Sequence, residues 1–356
     1  MAAGRRNRPP AGPRGPVTSI DVARRAGVSQ SAVSRTFTPG ASVSEATRAK
    51  VLEAARALGY SPNAIARSLI TRRSRMIGVI VAYLDNHYYP LLLETLSQRL
   101  QREGYHTLLF FTQTGAPVDA VLHEILQYQV DGIIMFSAVL SSDLADVCAA
   151  QGIPVVLFNR TVDDAAVSSV SSDNVAGGRL VGRFLAAGGH ARIAYVAGVE
   201  DSSTSRDRER GLVEGLAGSG LALHARAVGG YTLDRARLAA LSLFERPDPP
   251  DAVFVASDHM ALAVLDTLRF ELRLSVPDDV SVVGYDAIPL GAAPSYRLTS
   301  VRQPNDEMVA EAVRLILSRI GAGGDTGPER VALPVRLVVR GSARRPATDE
   351  GPYDPE

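Results

Sequence analysis

The sequence predicts a small all-α head followed by a large α/β body of two lobes, whose parallel sheets carry helices on both faces. From Met76 onward, short apolar runs rich in β-branched residues alternate with amphipathic helical stretches, a pattern typical of parallel sheets. Before Met76, apolar residues recur only at helical spacing. A chain of 356 residues is long enough to form more than one core.

Charge divides the chain at the same place. Residues 1–75 carry 14 basic and three acidic side chains, whereas the rest of the chain carries 24 basic and 35 acidic ones. A basic head on an acidic body indicates that the head alone meets a polyanion such as nucleic acid. A solvated charged face is the weaker interpretation, because such faces usually mix both signs.

The two ends of the chain predict little structure. Residues 1–16 consist mainly of Gly, Pro and Arg, and residues 341–356 are mostly polar, so we expect a disordered basic arm and a disordered tail. The N-terminus has no apolar signal core, and no apolar run approaches the roughly 20 residues of a membrane span, which predicts a cytoplasmic protein. Cys148 is the single cysteine, so no internal disulfide is possible, and a small buried hydrophobe is expected there.

The stretch from Thr18 to Arg35 predicts two short helices joined by a tight turn. Thr18 and Ser29 are placed as N-caps, and Gly27 lies where the backbone must reverse. Ala23, where the helix axes approach, and Val33, inside the angle, complete the spacing of a helix-turn-helix. From this segment alone, an αα-hairpin packed inside a larger domain is the alternative.

The second of these helices would carry Gln30, Ser31 and Arg35 on its outward face, within reach of base edges in a major groove. A third helix is predicted within 44–60, with Ser44 near its start and Gly59 as its C-terminal stop, and it would close a headpiece of residues 17–61. A short helix over 63–69 then begins a hinge that extends to residue 75.

These segments resemble the LacI (lactose repressor) family in order and spacing. VTSIDVARRAGVSQSAVSRTF followed by ATRAKVLEAARALGYSPNAIARSLITRRSRMIGVI is similar to the DNA-binding headpiece and hinge of that family over residues 17–80. The resemblance implies operator contacts at Thr18, Ser29, Gln30, Ser31, Ser34, Arg35 and Asn63, with Leu69 wedged into the minor groove beside Ala66. Ala32 departs from the pattern, because many members carry threonine there, which removes one hydroxyl that could contact DNA.

The implied hinge helix is too short to be stable by itself. We therefore expect it to order only on DNA and only when a second copy packs against it, which would make it a two-state element. A leucine that unstacks a base step costs a few kcal/mol, which is recovered when the bent DNA contacts more protein.

In the body, apolar runs predict strands at MIGVIVAYL, HTLLFF, GIIMFS, IPVVLFN, ARIAYVAG, AVFVAS and VSVVGYD, and helices are predicted over 91–103, 120–129 and 143–151. Ligands of such folds bind beyond the carboxyl ends of the strands. Those ends fall at 85–89, 136–137, 159–160, 202–208, 257–258 and 286. Clustered Asp, Asn, Arg and Tyr suit a polyol such as a sugar, although a helix cap or a solvated loop residue is an equal alternative for any one of them.

The resemblance continues through the body. DNHYYPLLLETLSQRLQREGY, GIPVVLFNR and VPDDVSVVGYD look like the periplasmic-binding-protein-like effector domain of the same family. The matching positions imply effector contacts at Asn159, Arg208 and Asp286, surrounded by Tyr88, Phe136, Tyr231, Ser257 and Asp258. Two departures leave the sugar unassigned: Ala287 replaces the second acid of a frequent Asp-Asp pair, and Asn159 stands where many members have aspartate.

The same resemblance divides residues 76–340 into an N-lobe of 76–173 and 304–331 and a C-lobe of 174–303 and 332–340. The chain is expected to cross between lobes near Ser172–Asp173, near Gln303–Pro304 and near Val331. Helices over 91–103 and 119–129 are candidates for the interface of a homodimer, which would bind a palindrome. The tail lacks the leucine heptads of a tetramer-forming coiled coil.

An enzyme is not favoured. The six histidines show no metal-ligand spacing, and neither a phosphate-binding loop with lysine nor a nucleophile elbow occurs, so no catalytic residue, cofactor or metal is predicted. Gly177, Gly178 and Gly182 imitate a phosphate loop only weakly. The sequence and its resemblance therefore predict a homodimeric transcriptional regulator, a repressor of palindromic operator DNA controlled by a small molecule. A sugar is the expected effector, and a nucleoside or a phosphorylated metabolite is the open alternative. A sugar-binding protein without a transcriptional role is the alternative.

Overall fold

The computed structural model describes residues 17–38, 40–61, 73–82, 84–112, 119–136, 142–162, 167–321, 327–347 and 353–355. The chain divides into two compact units, residues 1–74 and residues 75–356, which we call the head and the body. The predicted basic arm, 1–16, and the predicted hinge positions Asn63, Ala66 and Leu69 lie outside the described residues.

Three helices form the described part of the head: α1 (Ser19–Ala26), α2 (Gln30–Thr36) and α3 (Glu45–Leu58). Thr18, Ser29 and Ser44 each accept a hydrogen bond from the backbone N–H three residues on, which confirms the two predicted caps and adds a third. Gly27 and Gly59 end α1 and α3 at φ 67°, a left-handed conformation that glycine adopts without strain. The core of the head consists of Val22, Ala23, Val33, Val51, Ala54 and Ala55.

The strands of the first sheet of the body are β1 (Met76–Val81), β2 (His106–Phe111), β3 (Gly132–Phe136), β4 (Val155–Phe158), β5 (Ser168–Ser172) and β11 (Arg330–Leu333). This sheet is parallel throughout, in the order β11-β5-β4-β3-β1-β2. Its helices are α4 (Tyr88–Arg102), α5 (Asp119–Gln127), α6 (Ser142–Ala150) and α12 (Asn305–Gly321). Cys148 on α6 is buried, as predicted, in the core that this sheet forms with α5.

The strands of the second sheet are β6 (Ile193–Ala197), β7 (Ala225–Val228), β8 (Ala252–Val255), β9 (Ser281–Asp286), β10 (Thr299–Arg302), β12 (Arg336–Val339) and β13 (Tyr353–Pro355). Their order is β13-β12-β10-β9-β8-β6-β7, and only the β10–β12 pair is antiparallel among the described pairings. Its helices are α7 (Asn174–Ala187), α8 (Ser203–Ala217), α9 (Leu233–Phe244), α10 (Asp258–Asp266), followed by a π-helical turn (Thr267–Glu271), and α11 (Pro289–Ala292). The sequence missed β5, β7 and β10–β13, because these strands are short or polar.

The chain passes between the two sheets after β5, which ends at Ser172, after β10, which ends at Arg302, and after β11. β11 continues in the first sheet to Leu333, whose carbonyl accepts a hydrogen bond from Asp173 N at 2.7 Å. Val331 therefore lies inside a strand, paired with Val170. The crossing occurs at Pro334, because proline has no N–H with which to extend the ladder. The N-lobe thus includes residues 332–333, which the prediction gave to the C-lobe.

The predicted disordered tail, 341–356, is structured in its described parts. Ser342 and Ala343 are buried. Ser342 Oγ accepts a hydrogen bond from Thr299 N at 2.8 Å and donates one to Val282 O at 2.6 Å. Tyr353–Pro355 pairs in parallel with β12. The prediction was wrong here because composition does not reveal the open edge of the second sheet, which offers the tail backbone hydrogen-bond partners.

Helices α7 and α8 approach so closely that glycine is required on both. A Cβ at Gly178 would lie 2.1 Å from Arg208 O, and a Cβ at Gly211 would lie 2.1 Å from Val175 O. Gly182 faces the backbone of α8 in the same way, with its added Cβ 2.7 Å from Leu212 O. The glycines that imitate a phosphate loop in the sequence therefore serve helix packing.

Candidate functional site

A small cavity lies between the two lobes of the body, beyond the carboxyl ends of strands from both sheets. This position is the one that the strand-end rule predicts for a ligand. The N-lobe contributes Asn86, Tyr88, Tyr89, Asn159 and Arg160, and the C-lobe contributes Ser202, Thr204, Arg208, Tyr231, Ser257 and Asp286.

Arg208, in the first turns of α8, is the central cation of the cavity. Its side chain is 2% exposed, and its Nε donates to Asn174 Oδ1 at 2.8 Å. The guanidinium lies 3.6 Å from the centre of the Tyr285 ring, in a cation–π contact, while its Nη1 donates to Ala256 O. The Nη2 atom has no hydrogen-bond partner among the described residues. The arginine is therefore held rigidly and still has donors for a ligand.

Asp286, at the end of β9, faces Arg208 across the cavity. Its Oδ1 lies 3.9 Å from Arg208 Nη1 and accepts a hydrogen bond from Gln303 Nε2 at 2.7 Å. Burial raises the pKa of Asp286 to about 7, although Arg208 opposes that rise by favouring the charged form. In the folded protein Asp286 therefore keeps its proton to higher pH than an ordinary carboxyl group does.

Hydroxyl groups line the side of the cavity next to Arg208. Thr204 Oγ1 lies 2.7 Å from Ser202 Oγ and 3.2 Å from the Tyr231 hydroxyl. From the N-lobe, Tyr88 donates its hydroxyl to Asn305 Oδ1 at 2.9 Å, which fixes the ring at the start of α4. Burial raises the pKa of Tyr88, so this hydroxyl stays protonated. Hydroxyls and tyrosine rings are the groups that polyols contact.

Asn159 and Arg160 enter the cavity from the end of β4. Asn159 has φ 56°, a left-handed conformation unusual outside glycine, and its N–H donates to Val170 O at 2.8 Å. Its Oδ1 is buried without a hydrogen-bond partner among the described residues, and so is Nε of Arg160. Strained backbone of this kind is typical of binding sites.

The lobes also touch beside the cavity through two imidazoles. His87, before α4, has its Nδ1 3.3 Å from Nδ1 of His259 on α10. Desolvation and the neighbouring His87 lower the pKa of His259, which favours the neutral form of the His259 ring at this contact.

Two predicted effector residues do not line the cavity. Phe136 is fully buried: its ring stacks on Phe158 at a centroid distance of 4.5 Å and meets Tyr89 edge-on, so it supports the cavity from behind. Asp258 is also fully buried, and it accepts hydrogen bonds from Ile288 N at 2.8 Å and Ser300 Oγ at 2.6 Å. These bonds turn its carboxylate toward the loop after β9 instead of the cavity.

The other six predicted residues, Tyr88, Asn159, Arg208, Tyr231, Ser257 and Asp286, all line the cavity. The predicted effector contacts omit five lining residues, which are Asn86, Tyr89, Arg160, Ser202 and Thr204. All five fall within the strand-end ranges of the sequence. Treating every polar residue of those ranges as a candidate would have found them.

The head presents a second candidate site, a nucleic-acid interface on α2. Val33 and Thr36 are buried against α1 and α3, so the opposite face of α2 points outward. Gln30 Nε2 donates to Ser19 Oγ at 3.1 Å, which steadies that side chain at the start of the helix. The predicted contact residues that the structure describes are all exposed, and they are Thr18, Ser29, Gln30, Ser31, Ser34 and Arg35.

The basic character of this interface comes from neighbouring arginines. Arg24 and Arg25, in the last turn of α1, are exposed, and Arg35 is exposed on α2 itself. A surface of exposed cations and short polar side chains on one helix suits phosphates and base edges together.

Two absences hold for the residues that the structure describes. No three His, Cys, Asp or Glu side chains there lie close enough to hold a metal ion. Within the same residues, no helix combines the length and the apolar character needed to span a bilayer.

Comparisons with known proteins cover both sites. A family model described as "Bacterial regulatory proteins, lacI family" matches residues 20–63, and one described as "Periplasmic binding protein-like domain" matches residues 182–343. The HTH-type transcriptional regulator CelR of Thermobifida fusca is 34% identical over 330 residues, covering 90% of this chain and 96% of that protein.

Solved structures agree with the family matches. The lac repressor dimer bound to operator and the anti-inducer ONPF superimposes with a TM-score of 0.83 at 29% identity, covering 92% of this chain and 99% of that one. A complex of the transcriptional regulator CelR with cellobiose gives a TM-score of 0.69 at 33% identity, again covering 92% and 99%.

Proposed function

Because the chain belongs to the LacI family of bacterial regulatory proteins, we propose that it is a repressor whose affinity for operator DNA is set by a sugar bound between the lobes. One observation carries the proposal: buried polar side chains from both lobes converge on one cavity, with unused donors on Arg208 and an unused acceptor on Asn159. CelR, a similar regulator, forms a complex with cellobiose, which supports a sugar as the effector.

On the DNA side, α2 enters a major groove with its outward face. Gln30, Ser31 and Arg35 contact base edges, and Thr18, Ser29 and Ser34 contact phosphates. The lac repressor, a similar protein, binds its operator as a dimer, which supports a homodimer and a palindromic operator for this chain. Helices α4 and α5 are our candidates for the dimer interface.

The hinge part of the proposal rests on the sequence resemblance. Leu69 enters the minor groove at the operator centre with Ala66 beside it, and Asn63 also contacts DNA. Pairing of two such segments on DNA is the step that the effector controls. A regulator of this kind acts where the chromosome is, so we place the protein in the cytoplasm.

A sugar that contacts both lobes stabilises the relative arrangement of the lobes in which its contacts to both can form, compared with an arrangement in which they cannot. Arg208 and Asp286 bind from the C-lobe, whereas Tyr88 and Asn159 bind from the N-lobe. A differential affinity of about 1 to 3 kcal/mol between two arrangements suffices for a several-fold to hundredfold change in operator affinity.

Selection of bound DNA from a random library by the full-length protein, repeated with a panel of sugars, tests the proposal. We expect a palindromic consensus whose enrichment one ligand abolishes or strengthens. Failure to enrich any sequence, with a sugar still raising the melting temperature of the body, would contradict the regulator and support the alternative, a sugar-binding protein without a transcriptional role.

A further inference from the structure

Two histidines, one from each lobe, meet beside the cavity, and we call them the interlobe histidine pair. The Nδ1 atoms of His87 and His259 lie 3.3 Å apart, and the ring centroids are 5.5 Å apart. His87 directly precedes Tyr88 in the N-lobe, and Ser257 is the N-cap of the helix that carries His259 in the C-lobe. Tyr88 and Ser257 both line the cavity. The pair therefore joins the two walls of the cavity only while the lobes lie close together.

The short distance between the two nitrogens limits the protons that they can carry. A hydrogen bond at this distance needs one N–H and one bare nitrogen, so the two facing atoms share a single proton. If both rings become imidazolium, both facing nitrogens carry hydrogen and both rings carry positive charge. The contact between His87 and His259 is therefore kept only while at least one of the two rings is neutral.

His259 is the ring that stays neutral. It is 1% exposed, whereas His87 is exposed to solvent. Desolvation, followed by the neighbouring His87, lowers the pKa of His259, and Asp85 acts in the opposite direction without reversing the shift. A proton on His259 would thus place a charge in surroundings that solvate it poorly, next to a second imidazole.

The other charged groups near the start of α10 have partners of their own. Asp258, on the same helix, accepts a hydrogen bond from Ile288 N with its carboxylate. Asp286, at the end of the neighbouring strand β9, faces Arg208. Nε2 of His259 is buried and has no hydrogen-bond partner among the described residues. Within the part of the chain that the structure describes, no acceptor at Nε2 therefore stabilises a charged His259 ring.

Deepening the proposed function, on which the presence of an effector rests, we infer that the interlobe histidine pair holds the lobes together around the effector site and that protonation of His259 releases them. His87 and His259 are positioning residues, since neither belongs to the described cavity lining. They act on the effector through the arrangement of the two lobes that its contacts require.

The direction of the pH effect follows from the arrangement in which His259 takes up a proton more easily. When the lobes are apart, its ring is hydrated and its pKa returns toward the ordinary value of 6.5. When the lobes are together, its pKa is lower, so separated lobes bind more protons below about pH 6.5. Acidification therefore favours separation of the lobes, and the histidine pair is intact above that pH.

Energy transfer between two fluorophores on the full-length protein tests this inference without any ligand. Gln151→Cys in the N-lobe and Arg246→Cys in the C-lobe place the labels at exposed positions, whereas the natural Cys148 is buried. Excess unlabelled protein ensures that transfer within one subunit is measured. We expect a constant transfer efficiency above about pH 7 and a reversible change as the pH falls to about 5.5.

Two variants of the pair and one control identify the group responsible. His259→Gln keeps an amide that can bond to His87 but cannot gain a proton, so it should remove the change with pH. His87→Gln, at an exposed position, should remove the change as well, because its amide oxygen can accept a hydrogen bond from a protonated His259. His106→Gln, at an exposed histidine of β2, is the matched control and should behave as wild type.

The outcomes separate this inference from the proposed function. A transfer efficiency that does not change with pH in the wild type, or that changes equally in His259→Gln, overturns the inference and leaves the sugar-controlled repressor standing. The selection of DNA from a random library tests the repressor separately. A protein that selects no palindrome but separates its lobes on acidification through His259 would contradict the proposed function and support the role of the histidine pair.

Discussion

The head and the body hold their candidate sites in opposite ways. On α2, Gln30, Ser31 and Arg35 lie within six consecutive residues and are exposed on a helix whose other face packs on a small core. In the body, the cavity residues are buried, and two of the most important, Arg208 and Asp286, lie on different elements of the C-lobe. The head therefore needs one correctly capped helix, whereas the body needs two sheets and several helices to pack accurately.

The largest expected effect tests the demand for accurate packing in the body. Gly178→Val would place a Cβ 2.1 Å from Arg208 O, so α7 and α8 must separate and the free energy of unfolding of the body should fall by more than about 4 kcal/mol. Denaturant unfolding of the purified protein measures this loss.

Gly218→Ala is the matched control for that variant. It lies just after α8, where an added Cβ meets nothing closer than 3.6 Å, so we expect a change within about 1 kcal/mol. Equal stabilities for the two variants would show that the close approach of α7 and α8 is not needed.

A smaller expected effect tests whether ligand binding in the body can be lost without loss of DNA binding by the head. Arg208→Ala removes the central cation and leaves Asp286 without its charged partner, so ligand affinity should fall by about 3 kcal/mol or more. Operator affinity without ligand should stay at the wild-type value, because the head is unchanged. DNA-binding titrations with and without ligand check both points, and an unchanged ligand response would remove Arg208 from the site.

The reciprocal change lies in the head. Val33 is 1% exposed, so Val33→Ala should lower the stability of the head by about 2 kcal/mol, a large share for so small a core. We expect weaker operator binding with unchanged ligand affinity of the body. Glu53→Ala, at an exposed position of α3, serves as the control. A ligand affinity that falls together with DNA binding would show that the sites do not separate in this way.

The smallest effect concerns protons. In the folded protein the pKa of Asp286 is raised to about 7, so its carboxyl group keeps a proton up to near-neutral pH. In the unfolded chain the same group has already released that proton at its ordinary, lower pKa. This group therefore contributes less stability as pH rises, by about 1 kcal/mol between pH 6 and pH 8. The difference in unfolding free energy between wild type and Asp286→Asn, measured at both pH values, should show this slope, and the absence of any slope would contradict the raised pKa.

The sequence predicts the head and the body unequally well. Caps such as Thr18 and the glycine turn at Gly27 are local signals, and the structure confirms them. β5, with the sequence SSVSS, was missed because its burial comes from neighbouring strands rather than from its own composition. At the cavity, the strand-end rule finds Ser257 and Asp258 alike. Only the tertiary fold decides that Ser257 lines the cavity while the Asp258 carboxylate turns to Ile288 N.

The glycine contact between α7 and α8 has a consequence for anyone who would redesign this protein as a biosensor. Arg208 sits at that contact, with its backbone carbonyl against Gly178, so its position is set by two helices that cannot shift independently. Arg160, just after β4, lies outside the glycine contact. A designer can therefore keep α7 and α8 as a fixed frame that supplies one anchoring cation, and vary the remaining lining positions to change the molecule that the sensor detects.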